Sequence, residues 1–217
     1  MFGDPLMNSN FSIFKLEDIC FKVTDGTHDT PKHVSKEKGL PFLTARNVRP
    51  FCLNFSDIKY ISQKDHEKVI KRSFPEKGDI LFYHIGANRG NAAEVEVDFE
   101  FSIKNVALFK PNKNIVLSKY LVTLLNTNRF REHIRKLSSG GAQKYMDLEL
   151  LRSLKLSIPP IEIQRKFVTI FEKIMDIWKL QTISSLEIVN LYDSLLYNAF
   201  KGELMTEKYS ERLKTTK

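Results

Sequence analysis

In the first half of this chain, apolar residues recur in short runs broken by turn residues. In the second half they recur every three or four positions. The two patterns predict strands first and helices later. Phe11, Ile13, Phe14, Leu16, Ile19, Phe21 and Val23 give an apolar opening segment over residues 10–24, with a turn at Leu16-Glu17-Asp18-Ile19. Residues 25–41, rich in Thr, Gly, Pro, His and Lys, predict a loop. Short strands are expected at 40–44 and within 54–62, then a helical turn or two over 63–71. Lys77-Gly78-Asp79 marks a tight turn before a strand at 80–85, and Gly86 and Gly90 bracket a loop. Residues 92–97 and 101–109 read as two further strands.

At Ser118 the period changes. Tyr120, Leu121, Leu124 and Leu125 fall at helical spacing, with Ser118 as the expected N-cap and the helix running to about Leu137. Ser138-Ser139-Gly140-Gly141 should end it, Asp147 should cap a short helix to Leu154, and Leu156-Ser157-Ile158 reads as a last strand. After Pro159-Pro160 comes a stretch of some forty residues, from Ile161 to Lys201, without Pro or Gly. As a helix it would span about 60 Å. Phe167, Ile170, Ile174, Ile177, Gln181, Ser184, Ile188, Leu191 and Leu195 alternate by three and four along it, as in a coiled coil with a polar interruption. The fold class expected is α+β. It comprises a globular mixed α/β domain over residues 1–158, a long coiled-coil-type helix over 159–204, and a charged, frayed tail over 205–217.

Composition narrows the function classes. The 217 residues carry 42% apolar residues and sixteen Phe, enough for a packed core. No apolar window is long enough for a membrane span, and the N-terminus lacks the pattern of a secretory signal. With only Cys20 and Cys52, a reduced, cytoplasmic setting is expected. A formal charge of +8 and a pI near 9.3 favour polyanionic partners, nucleic acid first among them.

Catalytic signatures are scarce. There is no phosphate loop, dinucleotide fingerprint or nucleophile elbow, and Ile158 stands where an amino-methyltransferase motif would need Asp or Asn before Pro159-Pro160. Asp57-Ile58-Lys59 is a carboxylate-x-Lys triplet of the kind nucleases use, which leaves a nuclease as an alternative. Cys20, His28, His33 and Cys52 lack the close pairing of zinc sites, so no metal is expected and both Cys are read as small core residues. Groups suited to nucleic acid are more frequent. The loop Asp25–His33, the Arg46-Asn47 pair, the segment His84–Gly90 with Asn88-Arg89, and Ser138–Tyr145 all combine cations, amides and hydroxyls. Arg pairs with guanine and Asn with adenine in the major groove, while Lys and backbone N–H groups suit phosphate. Arg129, Arg131 and Arg135 are read as a solvated helix face.

Several short pieces occur in a fixed order. They are Thr24-Asp25-Gly26-Thr27-His28 with Thr30-Pro31; Pro41-Phe42-Leu43-Thr44 with Asn47-Val48; and Gly78-Asp79-Ile80-Leu81 with Ile85-Gly86-Ala87-Asn88 and Gly90. Gly140-Gly141-Ala142-Gln143-Lys144, Ile158-Pro159-Pro160 with Gln164, and Ala199-Phe200-Lys201-Gly202-Glu203-Leu204 follow. From about Phe14 to Leu204 the chain thereby resembles the specificity subunit of type I restriction–modification enzymes.

The resemblance implies a DNA target recognition domain at 1–158 and a spacer and dimerisation helix at 159–204. Specificity subunits usually hold two of each; this chain, without an internal repeat, resembles a half subunit. A homodimer through the long helix, with seam residues Phe167, Ile170, Ile174, Ile177, Ile188, Leu191 and Leu195, would then face a palindromic, gapped site. Double-stranded DNA, a modification (methyltransferase) subunit and a restriction subunit are the implied partners. S-adenosylmethionine, ATP and magnesium would belong to those subunits, leaving this chain non-catalytic and without a cofactor. Base readout is expected from Thr27, His28, Arg46, Asn47, His84, Asn88 and Arg89, and phosphate anchoring from Lys32, Gln143, Lys144 and Tyr145. The alternatives are a recognition fragment of a fused restriction–methylation enzyme and a coiled-coil protein-interaction module without DNA specificity.

Overall fold

The computed structural model describes residues 11–85, 90–138 and 146–203. It opens with β1 (Ser12–Lys15), a single 3-10 turn at Leu16–Ile19, and β2 (Cys20–Asp25). Short strands β3 (His33–Val34), β4 (Leu40–Thr44), β5 (Val48–Arg49), β6 (Cys52–Leu53) and β7 (Lys59–Ile61) follow, then α1 (Gln63–Ile70). Next come β8 (Ile80–Phe82), β9 (Ala92–Glu94), β10 (Ser102–Lys104) and β11 (Ala107–Pro111). The C-terminal part holds α2 (Ser118–Leu125), α3 (Asn128–Ser138), α4 (Leu148–Ser153), β12 (Lys155–Ile158) and α5 (Ile161–Lys201). The chain divides into two compact units, Met1–Val168 and Thr169–Lys217.

In the first unit the central sheet has the order β2-β11-β8-β9, antiparallel throughout. Its middle strands read as unbroken apolar runs because both faces are covered. Ile80, Phe82, Ala107 and Phe109 face a core built with α2, α3 and α4, while Leu81, Ala93 and Leu108 face Leu43, Phe101 and Ile103 of the second sheet side. On the helical side Phe82 stacks on Phe109 at 5.6 Å and meets Phe130 edge-on at 6.1 Å. The second sheet has the order β10-β4-β7-β3, with β10 and β4 parallel. His66 of α1 is buried between Ser102 Oγ at 2.9 Å and Glu100 Oε2 at 3.2 Å. Ser102 is itself fully buried, so this Ser-His-Glu array fastens α1 to β10 rather than presenting a nucleophile.

Four sequence expectations change. The run 101–109 is two strands in different sheets, broken at Asn105, whose φ of 53° is a left-handed turn that Asn tolerates. The expected helix from Ser118 to about Leu137 is two helices. Asn126 turns its amide onto Ala92, donating to its O at 2.8 Å and accepting from its N at 3.2 Å, and Thr127 Oγ1 accepts from Phe130 N to start α3. Ser118 is not the N-cap: its hydroxyl donates to Gly78 O at 2.6 Å, and Leu117 precedes the helix. Asp147 does cap α4, accepting from Leu150 N at 2.7 Å. Cys20 is buried, and burial together with the Asp79 charge pushes its thiol up to about 12, but Cys52 is exposed rather than in the core.

The Pro pair and Gln164 set the base of α5. Pro160 O accepts from Ile163 N and Gln164 N, and the fully buried Gln164 amide donates to Pro159 O and Ile115 O at 2.8 Å. Its Oε1 accepts from Leu117 N at 2.9 Å, so the amide meets orphan backbone groups of two segments. Phe167 packs edge-on against Tyr120 at 5.4 Å and therefore belongs to this core rather than to the outer seam. In the second unit α5 continues unbroken to Lys201. Gly202, at φ 74°, closes it: Glu203 N donates to Asn198 O and Gly202 N to Ala199 O, the Schellman pattern.

Candidate nucleic-acid interface

The segment Asp25-Gly26-Thr27-His28 is fixed by four different devices. Asp25 ends β2 as a buried carboxylate paired with Arg72 just past α1 and with His28 Nε2 at 2.9 Å. Gly26 lies so close to β10 that an added Cβ would sit 2.2 Å from Ile103 O. Thr27 N donates to Ile103 O, Asn105 N donates to Thr27 O, and Thr27 Oγ1 accepts from Asp29 N at 3.1 Å. The second ring nitrogen of His28, Nδ1, lies 2.9 Å from Asn105 Oδ1. Local turn chemistry alone would leave this stretch loose; its register comes from β10, bridged at Thr27–Lys104. The result is a depression lined by residues 27–31 and by Asp65, Lys68, Val69 and Arg72.

A second depression shares Thr30 with the first. Arg46, Lys59 and Lys104 line it with His33, Tyr83, Asn105 and Asp57. Three cations against one carboxylate make it the more attractive of the two to phosphate. Lys104 Nζ donates to Thr30 Oγ1, bridging the two depressions. Arg46 and Lys59 are exposed and have no partner among the described residues. Asn47 holds the turn that carries Arg46: its Oδ1 accepts from Thr44 N at 2.8 Å and its Nδ2 donates to Asn54 O at 2.9 Å.

These contacts sort the expected site residues. Arg46 stands free on the surface, as readout requires, and Lys32 is exposed. Thr27 and His28 line the first depression, but Thr27 Oγ1 is bonded to Asp29 N and both ring nitrogens of His28 are taken by Asp25 and Asn105. Asn47 is buried with its amide fully used, which withdraws it from base readout. His84 is withdrawn for the same reason: it is buried, Nδ1 donates to Met146 O at 2.7 Å, and Met146 N donates back to His84 O at 3.1 Å. Burial lowers its pKa, only partly offset by the Met146 carbonyl and the Asp25 charge. Asn88, Arg89, Gln143, Lys144 and Tyr145 lie outside the described residues. Arg131 is not on a solvated face: it is half-buried, its Nη2 donates to Asn91 Oδ1 at 3.3 Å, and it packs on Gly90.

Sequence reasoning missed Lys104, Tyr83 and Arg72, and singled out Lys59 only as part of a nuclease-like triplet with Asp57. A Lys at the outward position of a strand was a usable signal for Lys59 and Lys104. Nothing local points to Arg72, whose partner Asp25 is 47 residues away. Among the described residues, no three His, Cys, Asp or Glu side chains gather as metal ligands, and no helix is long and apolar enough to cross a membrane.

Residues 8–189 match the family model of the type I restriction modification DNA specificity domain. The chain is 25% identical over 166 residues to a protein of Methanocaldococcus jannaschii described as the MjaX specificity subunit of a type I restriction enzyme, covering 74% of this chain and 38% of that protein. It is 27% identical over 178 residues to the EcoBI specificity subunit of Escherichia coli, covering 80% of this chain and 37% of that one. The crystal structure of the HsdS subunit from Thermoanaerobacter tengcongensis superposes with a TM-score of 0.57 at 17% identity, over 91% of this chain and 46% of the other, which shows a shared fold. The chain thus spans less than half the length of each of these relatives. With a match that covers most of its residues, it belongs to the type I restriction modification DNA specificity domain family.

Proposed function

We propose that this chain recognises DNA as the specificity component of a type I restriction–modification system, and that its first unit grips one half-site of duplex DNA. The observation that carries the reading is the cation-lined depression of Arg46, Lys59 and Lys104, set beside a loop that is bonded into a fixed shape. Arg46 reads a base, preferably guanine, through its forked donors, while Lys32, Lys59 and Lys104 neutralise phosphates. Asn88, Arg89, Gln143, Lys144 and Tyr145 remain part of the same assignment. The methylation and cleavage chemistry, with S-adenosylmethionine, ATP and magnesium, falls to modification and restriction subunits that this chain recruits.

The second unit supplies the spacing. Ile170, Ile174, Ile177, Ile188, Leu191 and Leu195 are between 49% and 64% exposed, a row suited to the same helix of a second copy packed antiparallel. A second row, Phe171, Met175, Trp178, Val189, Tyr192 and Leu196, repeats the spacing one residue later, about 100° around the helix. One partner helix covers one row, so we assign the second row to the recruited modification subunit. Twofold pairing gives two identical DNA grips and an inverted, gapped site.

The test is binding of the full chain to a 30-base-pair duplex across a salt series, read by fluorescence anisotropy. Affinity should fall steeply with salt, and Arg46→Ala should lose about 1–3 kcal/mol on the preferred sequence. Binding that is absent, or indifferent to salt, overturns the reading.

A further inference from the structure

Asp25 is a carboxylate only 4% exposed, yet both of its partners stand at the surface: the Arg72 side chain is 52% exposed and that of His28 58%. The two arrive from separate segments, His28 from the loop after β2 and Arg72 from the residues after α1. A buried carboxylate is costly and is seldom kept for stability alone, because apolar side chains of the same shape do as well. Here it fixes the Arg72 guanidinium on the wall of the first depression, while both ring nitrogens of His28 are taken by Asp25 and Asn105. Only Nη2 of Arg72 meets Asp25, so the guanidinium retains donors for a second acceptor. Lys22 Nζ donates to Arg72 O at 2.8 Å, and Lys68 lines the same wall, 65% exposed. Of the acidic groups there, Asp65 is occupied by Lys68 at 3.8 Å and by the Ser62 hydroxyl at 2.7 Å; Asp29 is the other.

We infer that Asp25 is a positioning residue for DNA: it aims Arg72 at a backbone phosphate, next to the base-reading depression. The inference rests on the DNA reading above and adds a phosphate contact that the loop sequence by itself does not reveal. Its sign is opposite to that of simple electrostatics. Asp25→Asn removes a negative charge from a protein of net charge +8, which alone would tighten DNA binding. Loss of aim weakens it instead.

The experiment uses the full chain, a 30-base-pair duplex and anisotropy across a salt series, with thermal melting of each variant. Asp25→Asn should weaken binding on the order of tenfold near 0.1 M salt. Arg72→Gln should weaken it comparably and reduce the salt slope by about one. On the Arg72→Gln background, Asp25→Asn should add less than about twofold, because Asp25 works through the arginine. Binding by Asp25→Asn that equals or exceeds wild type overturns the inference, as does an equal loss with and without Arg72. If Asp25→Asn does not fold, Arg72→Gln decides, since its side chain is half-exposed: unchanged affinity and slope overturn the inference. Wild-type protein that shows no salt-dependent binding removes the DNA reading itself, and this inference with it.

Discussion

The two units are built from the same kinds of residue and put them to opposite use. In the first, Phe82, Phe109, Phe130 and Leu121 are fully buried, and even the polar Gln164 and Asn126 spend their amides on backbone groups of neighbouring segments. In the second, Ile174, Trp178 and Leu191 are 56%, 61% and 63% exposed. An apolar row of that length on a continuous helix is a surface made for another helix. The first unit therefore buries its apolar residues within one chain, and the second leaves an apolar stripe exposed. In the proposed pairing, this division keeps recognition and spacing separately adjustable.

The largest effect is expected from a charge in the outer row. Ile174→Glu should dissociate the proposed dimer, at a cost of roughly 3–5 kcal/mol at each of the two equivalent positions. Sedimentation should show single chains, while the melting temperature of the first unit stays near that of wild type. The converse change, Phe82→Ala, should destabilise the first unit by about 3–5 kcal/mol in urea unfolding, through lost burial and the cavity left between Phe109 and Phe130. A smaller effect sharpens the contrast within the first unit. His84 is held neutral by burial, so its folded-state pKa lies below the ordinary 6.5. Its contribution is complete above that value and is lost as the pH falls through the lowered one, with a slope of at most about 1.4 kcal/mol per pH unit. His84→Gln should flatten that part of the stability profile, measured by urea unfolding between neutral and mildly acidic pH.

Much of this was legible in the residue pattern. The long helix, its Pro and Gly boundaries and its outer row follow from local periodicity, and local periodicity is what a single sequence displays best. The breaks at Asn105 and Asn126 were hidden because each depends on a distant strand: Asn105 turns the chain into a different sheet, and Asn126 serves the backbone of Ala92. The same physics separates the site residues. Arg46 could be picked out as a cation at a strand end. Asn47 looked equally suitable until its amide proved to hold the turn beneath it. The Asp25–Arg72 pair joins positions with no local relation, so no turn or helix signal could have announced it.

In the proposed assembly, two copies of this chain paired through the long helix each read one half-site. The most direct test is selection of bound duplexes from a randomised library by this chain, residues 1–217, followed by sequencing of the retained pool. The account predicts one short motif in two inverted copies separated by a fixed gap. A single unrepeated motif, or a pool with no enriched sequence, would contradict it.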